Sequence, residues 1–381
     1  MPDIGHAYLS ASASDRWTHC PPSAKLNAEA TERASPYTME GTCAHRLCEH
    51  LVLTALGRDC KDPTEHLDYY DSKMQEAAEG YRDFFMEQIA EAKTLCQDPV
   101  ICVEQRVDFS RWVPGGFGTA DGLIVTDGFL QIIDMKYGVG VLVSAERNSQ
   151  LSCYAIAGID MYDGLYDIQK VKLSIFQPRR EHYDTWETTK DELLLWAEKE
   201  LAPAAQLAIK GEGEFSAGDH CRFCKVKDIC RARAEHYLEL AGAAFNEPDT
   251  LDSYEIAALL PRLAGLVSWA DDLKEYALRQ AIAGTKYPGF KIVEGRSVRR
   301  YVDDEAVAET VSKAGFDPFE KKVLGITAMT KLLGKKRFEE ILGKLIIKPQ
   351  GKPVLAPESD KRPEMHNIDD AFNEDNNQGG Q

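Results

Sequence analysis

Two apolar runs, Leu123 to Val125 and Phe129 to Ile133, are separated by Asp127-Gly128, and this pattern commits the chain to a β-hairpin. Asp-Gly supplies the positive φ that a tight hairpin turn requires, and β-forming residues flank it on both sides. Asp121 precedes the first run and is expected at the start of its strand. Asp134 and Lys136 end the second run. Antiparallel pairing sets these two ends side by side, so two carboxylates and an ammonium meet at one sheet edge. Asp134 and Lys136 also share a face through the period of two. Paired carboxylates with a vacant face suit Mg²⁺ or Mn²⁺. A neighbouring lysine can lower the pKa of an attacking water or hold a phosphate oxygen. The plain structural alternative is an acidic turn with an Asp134–Lys136 salt bridge.

The 381-residue chain is long enough for two domains and a tail. Its apolar runs, such as Ile156 to Ile159, are too short to span a bilayer. The start, Met1-Pro-Asp-Ile-Gly-His, has neither the basic nor the apolar region of a secretory signal. A cytoplasmic protein with no membrane partner is expected. The net charge of −17 excludes a broad nucleic-acid-coating surface, but it leaves room for a basic groove. Ten cysteines in such a compartment point to metal ligands rather than disulfides.

Taken in order, serine caps lead into a short helix carrying Trp17, which Cys20 ends before Pro21-Pro22. A second helix runs from Met39 to about Leu56 with His45 beside its apolar stripe. A long amphipathic stretch, Thr64 to Cys96, reads as a third. Val100 to Phe109 is a strand and the hairpin follows, with Val139 to Val143 a short β-branched candidate. A helix from Ala145 to Met161 places Gln150 and Tyr154 one turn apart, and Val171 to Gln177 is a buried strand. This order indicates an α/β core with a mixed sheet flanked by helices. Asp191 to Ile209 reads as a helix kinked near Pro203.

His220-Cys-Arg-Phe-Cys-Lys-Val-Lys-Asp-Ile-Cys230 then presents C-x2-C-x5-C, a strong metal signal. No cysteine follows Cys230, so the fourth ligand lies upstream or is a histidine such as His220. By spacing alone, zinc in Cys₄ or Cys₃His coordination and a [4Fe–4S] cluster both fit. Arg222, Lys225, Lys227, Arg231 and Arg233 offer a phosphate-contacting surface, with a solvated face as the commoner reading. Beyond Thr250 the chain turns helical. Leu251 to Ala283 is interrupted only by Pro261, Tyr287 to Val293 is a strand candidate, and helices are expected at Asp303 to Ala314 and Ile326 to Leu342. Lys331, Lys335, Lys336, Arg337, Lys344 and Lys348 make this part basic. Pro357 to Gln381 holds seven acidic and two basic residues and reads as a disordered acidic tail.

In this order the motifs Ser12-x-Ser-x-x-Trp-x-x-Cys-Pro21, Gly41-x-x-x-His45, Gly118-x-x-Asp121-Gly, Asp134-x-Lys136, Gln150-x-x-x-Tyr154 and C-x2-C-x5-C resemble the PD-(D/E)XK nuclease superfamily. The likeness is to its RecB-like, Cas4-like branch with an iron–sulfur cluster. It spans residues 10 to 235. The remainder is similar to a phage- or prophage-borne family of DUF2800 type. Ala120 replaces the eponymous proline, as is common in this branch.

The resemblance implies a restriction-endonuclease-like core at 1–245, a mainly helical domain at 246–348 and the acidic tail at 349–381. It implies a Mg²⁺- or Mn²⁺-dependent deoxyribonuclease, an exonuclease on linear double-stranded ends in phage recombination or replication. Asp121, Asp134, the Met135 carbonyl and His45 would hold the cation. Lys136 would position or deprotonate water, and Gln150 and Tyr154 would line the site, with core packing an alternative for Tyr154. Glu104 is a further possible acid. Cys20, Cys221, Cys224 and Cys230 would carry a [4Fe–4S] cluster, with zinc the alternative. DNA is the implied partner, and a phage single-strand-binding or annealing protein and self-association are further expectations. An endonuclease, a single-strand-specific nuclease and a non-catalytic binding module that keeps the fold are the competing readings.

Overall fold

The computed structural model describes residues 7–30, 36–241, 253–293, 303–319 and 323–346. It divides into two compact units, Met1–Val293 and Glu294–Gln381. The acidic tail and Lys348 lie outside the described residues.

The first unit is built on a five-stranded sheet in the order β1-β2-β3-β4-β5. These strands are β1 (Val100–Asp108), β2 (Phe117–Thr126), β3 (Phe129–Met135), β4 (Lys170–Gln177) and β5 (His182–Thr189). Pairing is antiparallel except between β3 and β4, which run parallel. Parallel neighbours need a crossover, and helix α5, Ser149–Tyr166, provides it once the preceding helices are numbered α1 (Ser14–His19), α2 (Ser23–Glu29), α3 (Pro36–Ala55) and α4 (Ser72–Leu95). The expected mixed α/β fold is present. One apolar core packs Leu123, Leu130, Ile132 and Leu173 against α5 residues Leu151, Ala155 and Ile159. A second packs Ile124, Ile133 and Met135 against Leu47 of α3 and Tyr81 and Phe85 of α4.

Side-chain caps fix several helix starts. Asp71 caps α4 through the Met74 N–H at 2.7 Å, and Asn148 caps α5 through the Leu151 N–H at 3.2 Å. Helix α5 therefore begins after Asn148 rather than at Ala145, and it continues past Met161 to Tyr166. The stretch read as one helix from Thr64 is a 3₁₀ turn at Thr64–His66 followed by α4. Asp62 and Asp71 compete with helical hydrogen bonding there by binding local backbone N–H groups.

Residues 139–143 form no strand, because Gln177 takes up their backbone. Its side chain donates to Gly138 O at 2.9 Å and Val141 O at 2.7 Å and accepts from Val143 N at 3.2 Å. Strand β5 was not anticipated. It is an edge strand of alternating exposure, and its polar composition hides it from hydropathy.

Near Pro203 the helix does not break; a π turn just upstream accommodates the proline. Helix α6 (Lys190–Trp196) passes through a π turn at Ala197–Leu201 into α7 (Ala202–Lys210). Then come α8 (Arg231–Ala241) and α9 (Ser253–Ile282), the latter continuous through Pro261. Residues 287–293 contain no strand. In the second unit, α10 (Asp304–Lys313) is followed by α11 (Ile326–Leu333) and α12 (Lys335–Leu342). Gly334, at φ +77°, divides what reads as one helix.

Two glycines in β2 are packing requirements. A Cβ on Gly118 would lie 2.7 Å from Tyr154 Cε1, and one on Gly122 would overlap the buried Phe85 ring. Gly122→Ala is expected to cost about 1–3 kcal/mol by overpacking. Urea unfolding checks this: the midpoint should fall while the slope stays unchanged.

Candidate metal centre and cysteine pocket

Asp121 sits in mid-strand rather than at a strand start, because β1 pairs with β2 back to Phe117. Sequence reading placed the start too late, since glycine weakens strand propensity. Val103 faces Gly122, and Gly122 faces Ile133. One residue along, the same register puts Glu104, Asp121 and Asp134 in a row across three strands. Glu104 holds φ +49°, a left-handed conformation costing on the order of 1–3 kcal/mol outside glycine.

Helix α3 brings His45 over this row, with Nδ1 3.3 Å from Asp121 Oδ1. Ligand atoms of His45, Glu104 and Asp121 all lie within 4.8 Å of one another, and among the described residues no other trio of metal-ligating side chains does so. Asp121 Oδ2 accepts the Met135 N–H at 2.7 Å. Asp134 is held from the other side. Lys136 Nζ stands 2.9 Å from its Oδ2, Gln150 Nε2 donates to its Oδ1 at 3.0 Å, and Lys136 Nζ donates to Gln150 Oε1 at 2.8 Å. Gln150 also donates to the Tyr154 hydroxyl at 3.3 Å. Asp121 and Asp134 keep 11% and 3% of their side-chain surface exposed, against 34% for His45 and 28% for Lys136. The acids form the floor of the site and the basic groups its mouth.

The charges are strongly coupled. Burial opposes charge on His45, but Asp121, then Asp134 and Glu104, outweigh it and raise its pKa to about 9. Glu104 is raised to about 8 by burial first and by Asp121 next, with His45 opposing. Burial would also raise Asp121, yet His45 and the Met135 N–H bring it below the ordinary range. Asp134 moves up, because burial and Asp121 together exceed the pull of Lys136. Buried acids crowded in this way are stabilised by bound cations, and such clusters concentrate at functional sites.

Of the residues singled out by sequence, the structure gathers His45 with Asp121, and Asp134 with Lys136, Gln150 and Tyr154. Glu104, the further acid of the sequence, lies with the first group. The available signal was its position opposite Asp121 once β1 and β2 are paired. Tyr154 both bonds Gln150 and packs against Gly118, so packing and site lining coincide.

A second site lies between the chain's early helices and residues 215–230. Cys20, the C-cap of α1, and Cys221, Cys224 and Cys230 line one pocket with Arg16, Ser216 and His220. Cys221 belongs to the 3₁₀ turn Asp219–Phe223, and Cys230 precedes α8. Backbone N–H groups of Ser216 and Ser23 favour the Cys20 thiolate, although burial as the larger effect, with Cys221 and Cys230, raises its pKa. His220 stacks on His19 at 5.3 Å, with Nε2 3.0 Å from Ser216 O.

The basic residues around these cysteines are not all free for phosphate. Asp272 on α9 accepts from Lys227 Nζ and Arg233 NH1, both at 2.7 Å, and Asp228 pairs with Arg279 at 2.8 Å. Tyr237 stacks on Trp269 with centroids 6.0 Å apart. Lys227 and Arg233 thus tie α8 and the cysteine segment to α9.

Fold and site define a mixed α/β protein with a five-stranded sheet, a buried acidic row and a four-cysteine pocket. The family model described as "Protein of unknown function (DUF2800)" matches residues 6–363, and the chain belongs to that family. Among solved structures, the one titled "Crystal structure of SSO0001" is similar at 15% identity, covering 49% of this chain and 95% of that one. Its TM-score is 0.22, too low to carry an argument. No helix among the described residues is long and apolar enough to cross a membrane.

Proposed function

We propose that this chain is a metal-dependent deoxyribonuclease of the PD-(D/E)XK type, an exonuclease on linear double-stranded DNA ends serving phage recombination or replication. The observation that carries the reading is the row Glu104, Asp121 and Asp134 with His45 above it and Lys136 beside it. Oxygen donors with one imidazole suit Mg²⁺ or Mn²⁺, so the donor set fits the expected cation. His45, Asp121, Glu104 and Asp134 would hold it. A bound cation would supply Lewis-acid stabilisation of the charge that develops on the scissile phosphate.

The protein's own part is positioning. Gln150 fixes both Asp134 and Lys136, so the ammonium stands at a defined place in the mouth of the site. From there Lys136 can orient the attacking water and take up or share its proton. Met135 contributes its N–H to Asp121, which holds that carboxylate's second oxygen in place.

The cysteine pocket fits a [4Fe–4S] cluster better than zinc. Tetrahedral zinc with bonds near 2.3 Å sets its sulfurs about 3.8 Å apart. No three sulfurs among the described cysteines fall within 4.8 Å of one another. A cubane, with one thiolate at each iron, spreads its ligands more widely.

Anaerobically purified protein with Mg²⁺ or Mn²⁺ should degrade linear duplex DNA progressively from one labelled end and spare covalently closed circles. Cutting of circles would assign an endonuclease instead. No cleavage of duplex or single-stranded DNA would leave a binding module.

A further inference from the structure

We propose that Asn27, on α2, is a positioning residue of the four-cysteine centre, donating to the Cys224 sulfur and thereby raising the centre's reduction potential. The inference rests on the cluster reading above, and its observations are independent of the acidic row.

Asn27 is 6% exposed and uses both ends of its carboxamide. Nδ2 donates to Ser23 O at 2.8 Å and to Cys224 Sγ at 3.2 Å. Oδ1 accepts the Lys225 N–H at 2.8 Å, which fixes the amide's orientation, because the opposite one would face an N–H with an N–H. A buried amide with three partners cannot swing away from the sulfur without orphaning polar groups. The donor is therefore permanent rather than occasional. Arg16 adds charge of the same sense. It lines the pocket beside the four cysteines and donates to Ser23 Oγ at 2.9 Å.

The sign follows from electrostatics. Reduction adds one electron to the thiolate-bound cluster. An N–H dipole or a guanidinium aimed at a ligand sulfur stabilises the more negative, reduced form and so raises the potential. Hydrogen bonds to sulfur and solvent exposure are recognised controls of such potentials. A purely structural Asn27 would anchor the loop at Cys224 without this effect.

The test is a spectroelectrochemical and EPR titration of the anaerobically purified full chain, comparing wild type with Asn27→Leu and Arg16→Gln. Asn27→Leu should bind the reduced state about tenfold less favourably at fixed poise, a fall of about 59 mV for one electron. Arg16→Gln should shift in the same direction. Should Asn27→Leu lose the cluster, pulsed EPR of reduced wild-type protein with ¹⁵N-asparagine reads the same bond, and a coupled side-chain nitrogen is expected. An unchanged potential in a cluster-loaded Asn27→Leu, or no such coupling in the wild type, overturns the inference and leaves the cluster standing. Zinc in place of iron in the wild type overturns both.

Discussion

Lys136→Met is expected to lower DNA cleavage by at least about 10²-fold, the usual range for a positioned proton-transfer group. Methionine keeps most of the stem and removes the ammonium that stands 2.9 Å from Asp134 Oδ2. Asp134 is 2% exposed and already held above its ordinary range by burial and Asp121, and losing its ammonium partner pushes it further the same way. The site then loses the positioned cation in its mouth. The far-ultraviolet spectrum and the iron content should match wild type, which separates lost chemistry from lost fold. Cleavage within threefold of wild type at saturating Mg²⁺ or Mn²⁺ would remove Lys136 from the mechanism.

The second large effect concerns stability. Asp272→Ala leaves Arg233, 4% exposed, with a buried charge and no carboxylate, and it strands Lys227 as well. Breaking such a pair by deleting one partner costs about 3 kcal/mol or more, and the melting temperature should fall by roughly 6–12 °C. The effect has a definite pH dependence. Burial acts to raise the Asp272 carboxyl, but Lys227 and Arg233 hold it below its ordinary value of 3.8. A folded value below the unfolded one gives stability that is complete above pH 3.8 and lost as pH falls through the lower folded value. Melting curves of wild type and Asp272→Ala should therefore differ at pH 7 and converge in acid. A melting temperature within 2 °C or so of wild type at pH 7 would show that the network is neutral, as some ion pairs are.

Much of the fold was legible because periodicity and turn chemistry act locally. The hairpin at Asp127-Gly128, the helix around His45 and the strand at Val171 all follow from residues within one or two turns of each other. What failed depended on partners distant in sequence. Residues 139–143 have strand composition, yet Gln177 binds their backbone. Strand β5 exists because β4 offers it an edge, and its own residues alternate only weakly in hydropathy. Pro261 reads as an interruption, but α9 carries it without a break.

The candidate site divides in the same way. Asp134, Lys136, Gln150 and Tyr154 are related by short spacings that a strand and a helix turn into contacts. Glu104 and Asp121 meet only through strand register, which spacing does not reveal. The basic residues near the cysteines looked available for phosphate, since the one acid that binds both Lys227 and Arg233, Asp272, lies some forty residues downstream on α9.

Register also governs which insertions and deletions the gene can tolerate. Glu104, Asp121 and Asp134 stand abreast only while each strand keeps its count of residues. One codon gained or lost between Gly118 and Asp121 would turn the carboxylate to the opposite face and slide its neighbours past their partners. The connection from β1 to β2, residues 109–116, sits outside that count, as does the long passage from Lys136 to Gln150. Natural length variation among related chains should collect in such joints and avoid the interiors of β1, β2 and β3.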